Sequence, residues 1–147
     1  MTVKPIPDGY RTLTPFILVK DAAKLIDYIL KAFDGKIKSR HDGPDGKVMH
    51  AEILIGDSIL MLGEANEKYP AMPAMLYLYV NDVDDTYDQA IKAGGKSLRE
   101  PTTEFYGDRS SGVADEFGNQ WWIATHVEDV SPEEMQRRQE ELLAKQS

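Results

Sequence analysis

At 147 residues, the chain is long enough to bury a core as one domain without covalent staples. Its 25 acidic residues against 17 basic ones give a net charge of −8, which disfavours a nucleic-acid partner because phosphate requires a basic surface. The lack of cysteine excludes disulfide scaffolding, zinc–thiolate sites and thiol nucleophiles. The first ten residues lack a signal peptide's apolar stretch, and no apolar run approaches the ~18 residues of a membrane span. We therefore expect a cytoplasmic protein with no membrane partner.

The first half of the chain predicts the order β-α-β-β-β. Asp21 is a suitable N-cap for a helix with apolar residues at helical spacing, and Gly35 is a suitable stop. The glycine-rich segment 42–46 predicts a hairpin turn. The predicted strands are residues 12–19, 35–41, 48–55 and 58–63.

The second half repeats this plan. A shift of 61 residues superimposes Val19 on Val80 and Asp21, the first predicted N-cap, on Asp82, the second. Predicted strands follow at residues 75–80, 95–99, 110–114 and 120–125. We infer an internal duplication and an α+β fold, in which two tandem βαβββ modules form mixed or antiparallel sheets.

These boundaries predict a single domain over residues 1–147. Module one covers about residues 10–64, a linker residues 65–73, and module two residues 74–130. Ser131, followed by proline and two glutamates, forms a capping box that starts a charged C-terminal surface helix at residues 131–145.

One predicted strand carries a candidate acid–base pair. Alternation along residues 48–55 places His50 and Glu52 on one face, with Met49, Ala51 and Ile53 on the other. If the first face lines a barrel, the imidazole and carboxylate converge as a pair able to move a proton. The alternative is an exposed polar face on an antiparallel strand. His41, beside a turn, and His126, beyond the last strand, are read as surface residues.

Ligand-binding candidates are concentrated in the second half. Arg109 follows a glycine in an aromatic loop that also contains Tyr106, and suits a ligand carboxylate or phosphate. Its alternative role is a salt bridge to Glu104 or Asp115. The remaining aromatic candidates, for which core packing is the alternative, are Tyr77, Trp121 and Trp122, and the two adjacent tryptophans should face opposite sides.

The ordered motifs resemble the vicinal-oxygen-chelate superfamily of glyoxalases, bleomycin-resistance proteins and dioxygenases. Residues 105–109 (FYGDR) and 113–119 (VADEFGN) are similar to that family's aromatic-Gly-x-Arg and Asp-Pro-x-Gly-Asn elements, with Glu116 in the place of proline. Resemblance to the PhnB-like branch lies in residues 50–53 (HAEI), 56–58 (GDS) and 124–130 (ATHVEDV).

The resemblance implies that the sheet of each module curls into a half-barrel. It also implies four metal-ligand positions, two in each module, that carry His and Glu in the family's catalysts. They fall here near Thr14, Leu60 or Met61, Met75 and Trp122, none of which is an effective metal ligand. We therefore expect no metal and no other cofactor, although a divalent ion at a rebuilt site remains an alternative.

These observations favour a small-molecule binding protein of the glyoxalase/bleomycin-resistance type, working as a homodimer with an aromatic-lined cavity. The alternative is a metal-dependent lyase, isomerase or dioxygenase whose rebuilt ligand set includes His50 and Glu52. A third hypothesis is an interaction module that acts through its acidic surface and C-terminal helix. For the first hypothesis we expect one cavity to be surrounded by His50, Glu52, Tyr77, Arg109 and one of the two tryptophans.

Overall fold

A computed structural model describes residues 2–147, which fold as two βαβββ modules and a C-terminal helix. The first module contains β1 (Phe16–Val19), α1 (Ala22–Phe33), β2 (Lys36–Asp42), β3 (Val48–Ile55) and β4 (Ser58–Glu64). The second contains β5 (Met75–Tyr79), α2 (Val83–Lys92), β6 (Lys96–Thr103), β7 (Asp108–Ala114) and β8 (Gln120–His126), and α3 (Pro132–Gln146) follows.

Both modules have the same topology. The sheet orders are β1-β4-β3-β2 and β5-β8-β7-β6, with the outer pair β1–β4 or β5–β8 parallel and the remaining pairs antiparallel. Each module therefore forms a four-stranded mixed sheet carrying one helix. The predicted α+β fold with duplicated modules is confirmed.

The helices begin where the sequence predicts. Asp21 and Asp82 accept hydrogen bonds from Lys24 N and Asp85 N, and Ser131 accepts one from Glu134 N. The end of α1 differs from the prediction, because Asp34 rather than Gly35 adopts the left-handed cap conformation, at φ 54°.

One core joins the two modules through their helices. Helix α1 packs against α2, and the ring of Phe33 lies 4.8 Å from that of Trp121 on β8. Ile17 and Ile53 of the first sheet, with Val113 and Ile123 of the second, belong to the same buried cluster. Each sheet therefore turns its helix-covered face to the common core and its opposite face outward.

Two features of the strands differ from the sequence prediction, the start of β1 and the direction of Met49 in β3. Strand β1 begins at Phe16 rather than at residue 12, immediately after Pro15, which lacks an amide donor. In β3, a register shift lies between the pairs His41–His50 and Asp42–Val48, so Met49 bulges out and is 65% exposed. The prediction that Met49 lies on the same face as Ala51 is therefore wrong.

The C-terminal helix is attached mainly by its first turns. Arg138 donates to the carbonyl of Phe105 at 3.1 Å and pairs with Glu128 at 2.6 Å. No residue of α3 is buried. In residues 2–147, no helix has both the length and the apolar character needed to cross a membrane.

Candidate functional site

Each sheet has an outward face, here called the open face, that its own helix does not cover. On the first sheet this face carries Phe16, His50, Glu52 and Met61, which neighbouring strands bring into register. On the second sheet it carries Met75, Tyr77, Tyr79, Asp108, Trp122 and His126. The candidate site residues therefore belong to two separate surfaces.

The open face of the first sheet contains a hydrogen-bonded chain of three side chains. His50 Nε2 lies 2.9 Å from Glu52 Oε2, and the Tyr10 hydroxyl donates to Glu52 Oε1. The hydrogen bonds from Tyr10 and His50 lower the pKa of Glu52. Tyr10 comes from the segment before β1, and Lys38 Nζ lies 3.8 Å from its ring centroid. The sequence brings His50 and Glu52 together by strand alternation, whereas Tyr10 carries no sequence signal for this contact.

The open face of the second sheet contains a buried carboxylate beneath two tyrosines. Asp108, only 5% exposed, accepts hydrogen bonds from the hydroxyls of Tyr79 at 2.8 Å and Tyr77 at 3.2 Å. Its other oxygen lies 2.9 Å from His126 Nδ1, and His126 Nε2 lies 2.7 Å from Asp129. Neither the role of Asp108 nor its contact with His126, which was predicted to lie at the surface, was expected from the sequence.

The electrostatics of this cluster follow from its geometry. Burial opposes ionisation of Asp108, but the hydrogen bonds from His126, Tyr79 and Tyr77 outweigh it and lower the pKa of the carboxyl. The bonds to Asp108 and Asp129 raise the pKa of His126. Burial, the phenol of Tyr106 and the charge of Asp108 raise the pKa of Tyr77, so its hydroxyl stays a donor at neutral pH.

The two tryptophans face opposite sides, as expected. Trp121 is fully buried, and its indole N–H donates to Asp115 at 2.9 Å. Trp122 is half-buried on the open face next to Tyr77, and its ring lies across Gly112, where an added Cβ would be 2.7 Å from the indole. Trp121 is therefore a core residue, and Trp122 is the tryptophan available to a ligand.

Arg109 does not lie with Tyr77. Adjacent residues of a strand point to opposite faces, so Arg109 lies on the helix side of β7 when Asp108 lies on the open side. Its guanidinium forms a bidentate pair with Asp84 in the first turn of α2, at 2.9 and 3.0 Å. The predicted salt bridge from Arg109 to Glu104 or Asp115 is therefore wrong. The guanidinium is already paired with a carboxylate of the same chain.

Within a single chain, the residues that were predicted to surround one cavity do not lie together. His50 and Glu52 lie on one sheet, while Tyr77 lies on the other and Arg109 points towards α2. The reason is that the modules meet through their helix-covered faces. A groove of about 260 Å³ beside the helices, lined by residues that include Lys24 and Phe117, contains none of them.

Comparison with known proteins identifies the family. Residues 11–123 match the model of the glyoxalase/bleomycin resistance protein/dioxygenase superfamily. The chain belongs to this superfamily. It is 35% identical to the uncharacterised Mycobacterium bovis protein Mb0911c, over 84% of this chain and 89% of that protein.

Solved structures of the superfamily fold are also similar. TioX from Micromonospora sp. ML1 superimposes with a TM-score of 0.70 at 20% identity, covering 80% of this chain and 99% of TioX. A PhnB protein from Bacillus cereus gives 0.62 at 18% identity, covering 78% and 99%. At these identities the similarity establishes the fold alone. The family expected from the sequence motifs is confirmed.

The four positions at which superfamily catalysts hold a metal do not suit one here. They are Thr14, Leu60 or Met61, Met75 and Trp122. Leu60 faces the core, and the hydroxyl, thioether and indole groups of the others are weak ligands for a divalent ion. Within residues 2–147, no three His, Asp or Glu side chains are grouped closely enough to hold a metal ion. The residues at these positions therefore do not fit the superfamily's metal.

Proposed function

We propose that this chain is a small-molecule binding protein of the glyoxalase/bleomycin-resistance type, which sequesters a ligand without the usual metal. The main support for this proposal is the open face of the second sheet. Tyr77 and Tyr79 are 47% and 66% exposed, and half-buried Trp122 lies beside Tyr77. A contiguous exposed aromatic patch with a few polar groups is typical of a ligand or partner site.

The absence of a catalytic metal is part of the proposal. The alternative, a metal-dependent enzyme built on His50 and Glu52, has less support because both oxygens of Glu52 already accept hydrogen bonds, from Tyr10 and His50. Elemental analysis of purified protein tests this directly. We expect no stoichiometric zinc, nickel, manganese or iron, and about one ion per chain that is lost in His50→Ala would establish the alternative.

We also propose that a second copy of the chain covers the open faces. Each sheet is a half-barrel of four strands, and its open face leaves large apolar side chains in water, with Phe16 50% and Met75 68% exposed. Joining the first sheet of one copy to the second sheet of the other would bring the His50–Glu52 pair opposite the aromatic face and create an enclosed cavity.

Light scattering at micromolar concentrations tests the dimer, and paired variants test which faces meet. Phe16→Asp and Met75→Asp each place a charge on one open face and should give monomers. Mixing the two should restore a dimer, because one junction between unlike faces is then free of substitutions. Leu143→Asp on α3 is the matched control and should remain dimeric. A monomeric native chain, or no recovery on mixing, contradicts the arrangement.

Ligand binding is tested by thermal unfolding against a panel of aromatic cations, anions and neutral compounds. A ligand that binds only the folded state stabilises it by RT ln(1 + [L]/Kd) and so raises the melting temperature. We expect at least one class to do so, and to lose the effect in Trp122→Leu. The proposal fails if no class shifts the melting temperature at millimolar concentration.

A further inference from the structure

The buried carboxylate on the open face of the second sheet has an unusual set of partners. Asp108 is held by two phenol hydroxyls and one imidazole, and its one ion-pair partner among residues 2–147 is His126. A carboxylate this buried normally requires a cation, and here the imidazolium supplies it. The polar centre of the face is therefore an anion shielded by aromatic rings.

The local charge balance is negative. His126 lies between two carboxylates, Asp108 at 2.9 Å and Asp129 at 2.7 Å, so even a protonated imidazole leaves one negative charge. The chain as a whole has a net charge of −8. A cation approaching this face is attracted both by the cluster and by the overall field.

The tyrosine rings are arranged to contact such a cation. Their centroids are 5.3 Å apart, the ring planes are tilted by 56°, and both rings are exposed to solvent. Both hydroxyls donate to Asp108, and donation to a carboxylate makes a phenol ring more electron-rich. The negative face of an aromatic ring attracts ammonium groups, more strongly when solvent is excluded.

The same face offers poor recognition of an anion. The nearest arginine in the sequence, Arg109, lies on the opposite side of β7 and is bound to Asp84. His126 is the cationic group in the cluster, and both of its nitrogens are bonded to carboxylates. Arg99, which pairs in register with Gly112 on this face, is bound to Glu104. An incoming carboxylate or phosphate would therefore meet the carboxylates of Asp108 and Asp129 at the two tyrosines.

We propose that the exposed rings of Tyr77 and Tyr79, together with Asp108, form a binding site for an organic cation, an ammonium group attached to an apolar or aromatic body. This assignment rests on the proposed function and specifies its ligand class. The ammonium group lies against the two tyrosine rings near Asp108, and the aromatic body stacks on Trp122, whose ring is held flat over Gly112.

Three naphthalene compounds of the same size test the ligand class. They are the cation (2-naphthylmethyl)trimethylammonium, the neutral 2-naphthalenemethanol and the anion 2-naphthoate. Binding to the native full-length chain is measured by calorimetry at neutral pH. We expect the cation to bind about tenfold or more tightly than the neutral compound, with the anion weakest. Equal or tighter binding of the neutral or anionic compound overturns the cation assignment but leaves the proposed function standing. No binding of any of the three, with no melting shift in the wider panel, defeats both.

Substitutions at the proposed site test where the cation binds. Asp108→Asn should weaken the cation about tenfold while leaving the neutral compound within about twofold, because it removes the charge but keeps the shape. Asp129→Asn provides a second variant that cannot disturb the core, since Asp129 is fully exposed, and should weaken the cation about twofold. Tyr69→Leu, an exposed tyrosine in the linker, is the control for Tyr79→Leu. Cation affinity that Tyr79→Leu and Asp129→Asn both leave unchanged contradicts the site.

Discussion

Among the polar residues of this chain, Asp115 should cause the largest loss in the free energy of unfolding when its side chain is removed. Its Oδ1 accepts hydrogen bonds from the amides of Phe117 and Asn119 at 2.9 and 3.0 Å. Its Oδ2 accepts from Asn119 Nδ2 at 3.0 Å and from the indole of Trp121 at 2.9 Å. One carboxylate therefore fixes the turn between β7 and β8 and anchors the largest fully buried side chain of the core.

The magnitude follows from the donors that Asp115→Ala leaves without a partner. The Phe117 amide is in a half-buried turn and can bind water, whereas Asn119 and Trp121 are 1% and 0% exposed. Three buried donors thus lose a charged acceptor, and such bonds are each worth roughly 1.5–3 kcal/mol. Allowing for non-additivity and for water entering the vacated space, we expect a loss of about 4 kcal/mol in the free energy of unfolding.

Urea denaturation at neutral pH measures this loss, and Trp121→Phe completes a double-mutant cycle. Trp121→Phe removes one of the donors, so its cost should be about 1–2 kcal/mol smaller when Asp115 is already alanine. Glu116→Ala, an exposed neighbour in the same turn, is the control and should have little effect. A loss below about 1 kcal/mol for Asp115→Ala, or no coupling with Trp121, would refute the reasoning.

Two further predictions concern the open face of the second sheet. The hydrogen bonds to Asp108 and then Asp129 raise the pKa of His126 above 6.5 in the folded chain. The stability that the charge of His126 contributes is therefore fully present below pH 6.5, and it is lost as the pH rises through the folded-state pKa. The stability difference between the native chain and His126→Gln should therefore shrink on going from mildly acid to alkaline pH, and a constant difference contradicts this. In Gly112→Ala the new Cβ would overlap the ring of Trp122, so we expect changed tryptophan fluorescence and about 1–3 kcal/mol of destabilisation; Gly43→Ala, on a hairpin turn, should show neither effect.

The elements of the fold could be predicted from sequence because their signals are local. Asp21, Asp82 and Ser131 each bond to an amide three residues later, so a short window contains both cap and helix start. The order of elements then repeats, and the repeat predicts the duplication. The His50–Glu52 contact is equally local, since residues two apart on a strand share a face.

The second cluster could not be predicted because it is assembled from distant segments. Tyr79 and Asp108 are 29 residues apart and meet only when β5, β8 and β7 take the order β5-β8-β7. The predicted strand also began at Ser110, two residues after the actual start of β7 at Asp108. With the correct start, alternation alone would have separated Arg109 from the face that carries Asp108.

The two modules share a topology but differ in how their open faces are occupied. On the first sheet, Tyr10 from the preceding segment already lies against Glu52, so part of that face is filled by the chain itself. On the second sheet, the rings of Tyr77 and Tyr79 remain in solvent, and Asp108 satisfies their hydroxyls from beneath. If the two unlike faces meet in the proposed dimer, the ligand is held mainly by the second sheet and enclosed by the first sheet of the partner. Binding and dimerisation are then linked, because a ligand that contacts both copies stabilises their association by the same free energy with which association strengthens binding.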